Sequence, residues 1–252
     1  MQIIPAPTTS SKPITTRIFN MIELLFIHGI LGKPEYFNFL QPYVPEGFHT
    51  TAILLDGHGK GPREFAGSSM EQWRRQVAET VDNLLSKGNK VIIVAHSMGC
   101  LFAIDAAVRG KADALFLLNP PLSLRISRKL FSTPLKMKMG KINDNWVQAA
   151  KDAYSISDDG NLVNYLCWIP RYFELFREIY RIRRIVSCLA VPTRVYLSTH
   201  DEMVSPRSYR KFPLRPEINV TMLSSSGHYY YADNDCSIIV SDFYEFLEQV
   251  SN

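Results

Sequence analysis

Six short apolar runs, rich in β-branched residues, recur along this chain: Ile22–Ile27, Thr51–Leu55, Val91–Ala95, Leu115–Leu118, Arg194–Leu197 and Val220–Leu223. A strand with one wet face alternates apolar and polar side chains, whereas unbroken runs suit strands covered on both faces, as in a parallel sheet. Helical patterning lies between several of them. In Met70–Lys87 the residues Met70, Trp73, Val77, Val81, Leu84 and Leu85 share one face, with Ser69 as a cap and Gly88 as a stop. Residues 97–109 are small and apolar enough for a buried helix ended by Gly110, and Asp235–Val250 carries Ile238, Ile239, Phe243, Phe246 and Leu247 on one side. Such alternation predicts an α/β fold with a mostly parallel central sheet flanked by helices.

The 252 residues allow one large domain or two small ones, and 46% hydrophobic with 21% charged residues excludes a disordered or coiled-coil chain. A net charge of +4 is too mild to imply a nucleic-acid surface, and no apolar run is long enough to span a membrane. Nothing in the sequence indicates an oligomeric state. Cys100, Cys167, Cys188 and Cys236 are scattered without a C-x-x-C pair, which suggests reduced thiols and a cytoplasmic setting. Residues 1–20 hold three prolines and no signal-peptide pattern; they read as a loose N-terminal arm, with Met21 as an alternative start. The core then comprises residues 21–120 and 191–252. Residues 121–190 show helical patterning without a strand, and we read them as a helical lid inserted between two late strands. This insertion is rich in rings, and Trp146, Trp168 and Phe173 are its substrate-binding candidates.

The chemistry concentrates at the ends of the apolar runs. Lys90–Leu101 reads K-V-I-I-V-A-H-S-M-G-C-L: a strand ends, Ser97 follows, and a helix starts at once. A nucleophile on such a turn has its hydroxyl pushed above the sheet, with small residues two before and two after it, here Ala95 and Gly99. Leu24–Gly32, L-L-F-I-H-G-I-L-G, is a strand running into a glycine-bearing loop. The backbone amides of Ile30 in that loop and of Met98, after the serine, are candidates for stabilising a developing oxyanion. A serine needs a base, and the base an orienting acid. Tyr196–Asp201 places an acid just past a strand, and Met222–His228 places a histidine past another. Ser97, Asp201 and His228 therefore converge at the C-terminal edge of a parallel sheet. Glu202 competes with Asp201 for the acid's role, while Asn119, where an acid one strand earlier would stand, has no carboxylate. His96 is expected to pack away from the site, and His200 to be a loop residue.

With these motifs the chain resembles an α/β-hydrolase-fold serine hydrolase, similar to small bacterial carboxylesterases and monoacylglycerol-lipase-like enzymes, over essentially Met21–Val250. The resemblance implies Ser97 as nucleophile, His228 as general base and then acid, Asp201 as its orienter, and Ile30 and Met98 as the oxyanion-hole positions. Leu55–Gly61, L-D-G-H-G-K-G, matches the family's Gly-His-Gly loop, in which Asp56 and His58 shape the backbone. Ala95 departs from the family's G-x-S-x-G by one methyl group, and the region before the first strand is too short for the family's early hairpin. The implied substrate is a small-molecule ester with an apolar acyl or alcohol group. A thioester remains open, with the insertion's arginines meeting a phosphate-bearing carrier, as do lyase, cofactor-free oxidative or C–C-hydrolase chemistry on the same triad, and a non-catalytic ligand-binding protein. No cofactor motif and no metal-ligand cluster is present in the sequence.

Overall fold

The computed structural model describes residues 21–125, 145–156 and 166–251; residues 1–20, read above as an arm, and part of 121–190, read above as a lid, lie outside them. All six expected strands form: β1 Ile22–Ile27, β2 Phe48–Ile53, β3 Lys90–His96, β4 Ala114–Leu118, β5 Thr193–Ser198 and β6 Ile218–Leu223. They make one sheet, ordered β2-β1-β3-β4-β5-β6, and every neighbouring pair is parallel. Among the described residues the α-helices are α1 Pro62–Gly67, α2 Met70–Ser86, α3 Met98–Val108, α4 Asn145–Ala153, α5 Ile169–Ile185 and α6 Asp233–Ser251.

The unbroken apolar runs have their explanation in two core layers. Leu25, Ile27, Ile93, Ala95, Leu115, Leu117, Val195 and Leu197 point to one side of the sheet, where α2, α3 and α5 add Trp73, Val77, Leu101, Ile104, Ile179 and Ile182. Leu24, Phe26, Ile92, Val94, Phe116, Leu118 and Tyr196 point to the other, beneath Phe243, Phe246 and Leu247 of α6. Adjacent residues on one strand thus enter different layers, and both must be apolar. The two outermost strands differ from that expectation. β2 and β6 each pair on one side only and leave part of their residues at the surface, because an edge strand has less to cover it.

The chain enters at β1, steps to β2 on one flank, then crosses to β3 on the other. The order reverses between β1 and β3, and the crevice beyond the strand ends at such a reversal is where open parallel sheets bind ligands. The insertion's described helices lie between β4 and β5 in sequence. The Ser69 hydroxyl caps α2 by accepting from the Gln72 amide, as its position predicts.

Candidate active site

Ser97 sits between β3 and α3 with φ 51° and ψ −121°, a conformation rarely held by a residue with a side chain. Its neighbours enforce the turn. A Cβ on Gly99 would lie 2.3 Å from the Ile27 carbonyl oxygen, so the start of α3 approaches the end of β1 as only glycine permits. A Cβ on Gly29 would meet the Ser97 Cβ at 2.8 Å, which places the loop after β1 directly against the serine. Ala95 is fully buried, and its methyl group is accommodated.

His228, in the loop after β6, puts Nε2 3.0 Å from Ser97 Oγ and Nδ1 2.7 Å from Asp201 Oδ2. The carboxylate can only accept, so the imidazole carries its proton on Nδ1 and offers the Nε2 lone pair to the serine hydroxyl. The other Asp201 oxygen accepts the Met203 and Val204 amides at 2.7 and 2.6 Å, which fixes the carboxylate. Ser97 is 5% exposed, Asp201 1% and His228 0%. Burial pushes the His228 imidazole down, but the Asp201 charge and hydrogen bond, with Glu202 adding to them, raise its pKa above the ordinary value.

The loop after β1 is held by two buried histidines. The Leu55 amide donates to His28 Nε2 at 3.0 Å and the Leu31 amide to His58 Nε2 at 3.1 Å. Burial lowers His28 to about 4 and His58 to about 3, so both stay neutral acceptors near pH 7. Leu31 and Gly32 have acceptors for their amides, whereas among the described residues the buried Ile30 amide has none. Met98 opens α3, where amide groups also lack helical partners. An arrangement of this kind can activate a hydroxyl and supply amide donors to a developing negative charge.

The three lid candidates part company. Trp146 lies against the loop after β6: its ring covers Gly227, where an added Cβ would be 1.9 Å away, and is 5.4 Å from the Tyr230 ring. Trp168 does not; it is buried against Phe65 and donates to the Pro62 carbonyl at 2.9 Å. Phe173 is 62% exposed. The row Leu175, Ile179 and Ile182 is buried with the α2 and α3 residues of the core, which turns Phe173 and Phe176 outward. Of the arginines on this helix, Arg171 pairs with Glu174, Arg181 with Glu178 and Asp105, and Arg183 donates to the Leu122 carbonyl, while Arg177 and Arg184 are exposed.

Other residues take up roles that no local pattern announces. His96, expected to pack away from the site, instead turns toward the His228 loop: it donates from Nε2 to the His228 carbonyl at 3.0 Å, and Asn119 donates to the same carbonyl at 3.3 Å. Glu202 accepts the His228 amide at 3.1 Å. Past α4, both the amide and the hydroxyl of Ser155 donate to the Leu31 carbonyl. His200 is exposed, as expected. Among the described residues no group of three or more His, Cys, Asp or Glu side chains could hold a metal ion, and no helix is long and apolar enough to cross a membrane.

A family model described as "Alpha/beta hydrolase family" matches residues 24–236. A carboxylesterase of Bacillus subtilis (strain 168) is 23% identical over 250 residues, spanning 95% of this chain and 97% of the relative. Two solved structures share the fold. One, from work on the metagenome-derived lipolytic enzymes LipS and LipT, superposes with a TM-score of 0.68 at 18% identity over 92% of this chain and 95% of its own. The other is the monoacylglycerol lipase of Paleococcus ferrophilus, with a TM-score of 0.64 at 16% identity over 91% and 96%.

Proposed function

Because the chain belongs to the alpha/beta hydrolase family, we propose that it hydrolyses carboxylic esters through a covalent acyl-enzyme on Ser97. The observation that carries this reading is the continuous run of bonds from Ser97 Oγ to His228 Nε2 at 3.0 Å and from His228 Nδ1 to Asp201 at 2.7 Å, all buried. The bacterial carboxylesterase that matches along nearly the whole chain supports it.

Ser97 Oγ attacks the ester carbonyl carbon while its proton passes to His228 Nε2. Asp201 holds the resulting imidazolium, and the Ile30 and Met98 amides take the oxyanion. Collapse expels the alcohol, which leaves with the proton from His228. Water then attacks the acyl-enzyme, gives a proton to His228, and Ser97 recovers it as the acid departs. Since the neutral imidazole is the base and its pKa is raised, kcat/KM is expected to fall on acidification through a pH above 6.5.

We assign the cover of the site to α4 and the residues just after it. Trp146 over Gly227 and Ser155 on the Leu31 carbonyl support this, as does the slight exposure of Ser97. Apolar groups near the site, among them Ile30, Leu31, Met98 and Trp146, favour an ester with an apolar acyl or alcohol part. A thioester is the alternative on the same residues: Arg171, Arg181 and Arg183 are engaged within the protein, whereas Arg177 and Arg184 are exposed. Four cysteines without disulfides are consistent with a cytoplasmic setting, which we infer. A panel of acyl esters of graded chain length, run on the wild type and Ser97→Ala side by side, tests the proposal. Unchanged hydrolysis by the variant would defeat it.

A further inference from the structure

Two adjacent carboxylates follow β5, and they meet His228 differently. Asp201 takes the imidazole at Nδ1, whereas Glu202, only 7% exposed, turns Oε2 to the His228 main-chain amide at 3.1 Å. The carbonyl of the same residue is held by His96 Nε2 at 3.0 Å and Asn119 Nδ2 at 3.3 Å. Asn119 also donates to the Gly227 carbonyl at 3.2 Å and accepts the Ser198 amide at 2.9 Å, so it is itself anchored. Side chains from the ends of β3, β4 and β5 thus fix both polar groups of the His228 main chain.

Among the described residues, the charged groups that act on the His228 imidazole have one sign. His96, from the end of β3, is held neutral by burial and by the neighbouring His228. The phenols that face the cluster are Tyr36 from the turn after β1, Tyr154 after α4, Tyr172 of α5, and Tyr229 and Tyr231 of the β6 loop. Burial raises the pKa of each, so they are neutral as well. Asp201 and Glu202 are the two carboxylates that act on the imidazole.

We propose that Glu202 is a positioning residue of the site: it fixes the His228 loop through the main chain and sets a second negative charge beside the imidazole. This rests on the triad reading above. During attack His228 gains a proton, and a second nearby carboxylate stabilises that charged form over and above Asp201. A residue that only filled space, or only tied down a loop, would leave the titration of His228 where Asp201 alone puts it.

Glu202→Gln keeps an oxygen that can accept the His228 amide and removes the charge. Glu202→Asp keeps the charge and shortens the reach. The His228 imidazole is titrated by NMR in a Ser97→Ala background, which requires no turnover, and the same substitutions are made in the active protein. Glu202→Gln is expected to lower the His228 pKa by about 0.5–1 unit and to move the acid limb of kcat/KM down by as much. Its plateau kcat is expected to drop roughly 3- to 10-fold with KM changed less than about twofold, the pattern of a group that acts on the transition state. Glu202→Asp is expected to titrate close to the wild type. A Glu202→Gln protein that melts normally and titrates as the wild type does overturns the proposal. So does a Glu202→Asp protein whose pKa falls as far as that of Glu202→Gln. If the wild type neither hydrolyses esters nor labels at Ser97, the triad reading fails, and the NMR titration still decides whether Glu202 acts on His228.

Discussion

The loop edge around Ser97 and the outer face of α5 are both crowded with rings, yet they treat them in opposite ways. At the edge, Tyr36, His96, His228 and Tyr229 are packed within ring-to-ring distances of 4.2–6.3 Å. On α5, Ile169, Phe173, Phe176 and Tyr180 repeat three or four residues apart and remain 48–62% exposed. Aromatic content alone therefore does not locate a ligand. What separates the two regions is polar bonding: each edge histidine has named partners, and the main chain of the loops is tied to them.

Substitutions at the edge should be costly and specific, and those on the α5 face nearly silent. The largest expected effect is on rate: His228→Gln should lower kcat by on the order of 10⁶-fold while leaving the thermal midpoint close to that of the wild type. Stopped assays at high enzyme concentration measure the residual rate. Next comes the turn itself. Gly99→Ala forces a Cβ against the Ile27 and His28 carbonyl oxygens, at 2.3 and 2.8 Å, and should cost about 3 kcal/mol or more in urea unfolding. A third effect is on pH. His28 and His58 have lowered pKa values in the folded protein, about 4 and about 3, so the unfolded chain binds more protons once the pH drops below 6.5. Their contribution to stability is complete above 6.5 and is lost progressively as the pH falls from there to about 4 for His28 and about 3 for His58. Unfolding titrations of His58→Gln between pH 7 and 4.5 should show a shallower loss than the wild type, by up to about one proton. The smallest effect belongs to α5: Phe173→Ser with Phe176→Ser should change stability by no more than about 0.5 kcal/mol per site and leave ester turnover unaltered. A strong loss of activity there would erase the contrast between the two regions.

Much of the scaffold was readable in advance, for a definite reason. Strands buried on both faces write an unbroken apolar signature, and β1, β3, β4 and β5 carry it. That Ser97, Asp201 and His228 each follow a strand is also visible in the chain, and parallel strands bring such positions to one edge. The details that escaped depend on which neighbour arrives from elsewhere. Helix α5 has two apolar rows, and only the docking of Leu175, Ile179 and Ile182 decides that Phe173 faces out. His96, Asn119 and Glu202 have no period or spacing that announces them; they matter because the His228 loop, more than 100 residues beyond the first two, folds back against them. A carboxylate beside Asp201 reads in the sequence as a rival for its place, and in the structure it has a different hydrogen-bond partner.

In the proposed reaction Ser97 carries a covalent intermediate. Reaction with a fluorophosphonate probe, followed by peptide mass mapping, addresses it directly. A single stoichiometric adduct is expected on the peptide that contains Ser97, together with a matching loss of ester hydrolysis. Full hydrolysis in labelled protein, or an adduct on another residue with Ser97 unmodified, would contradict it.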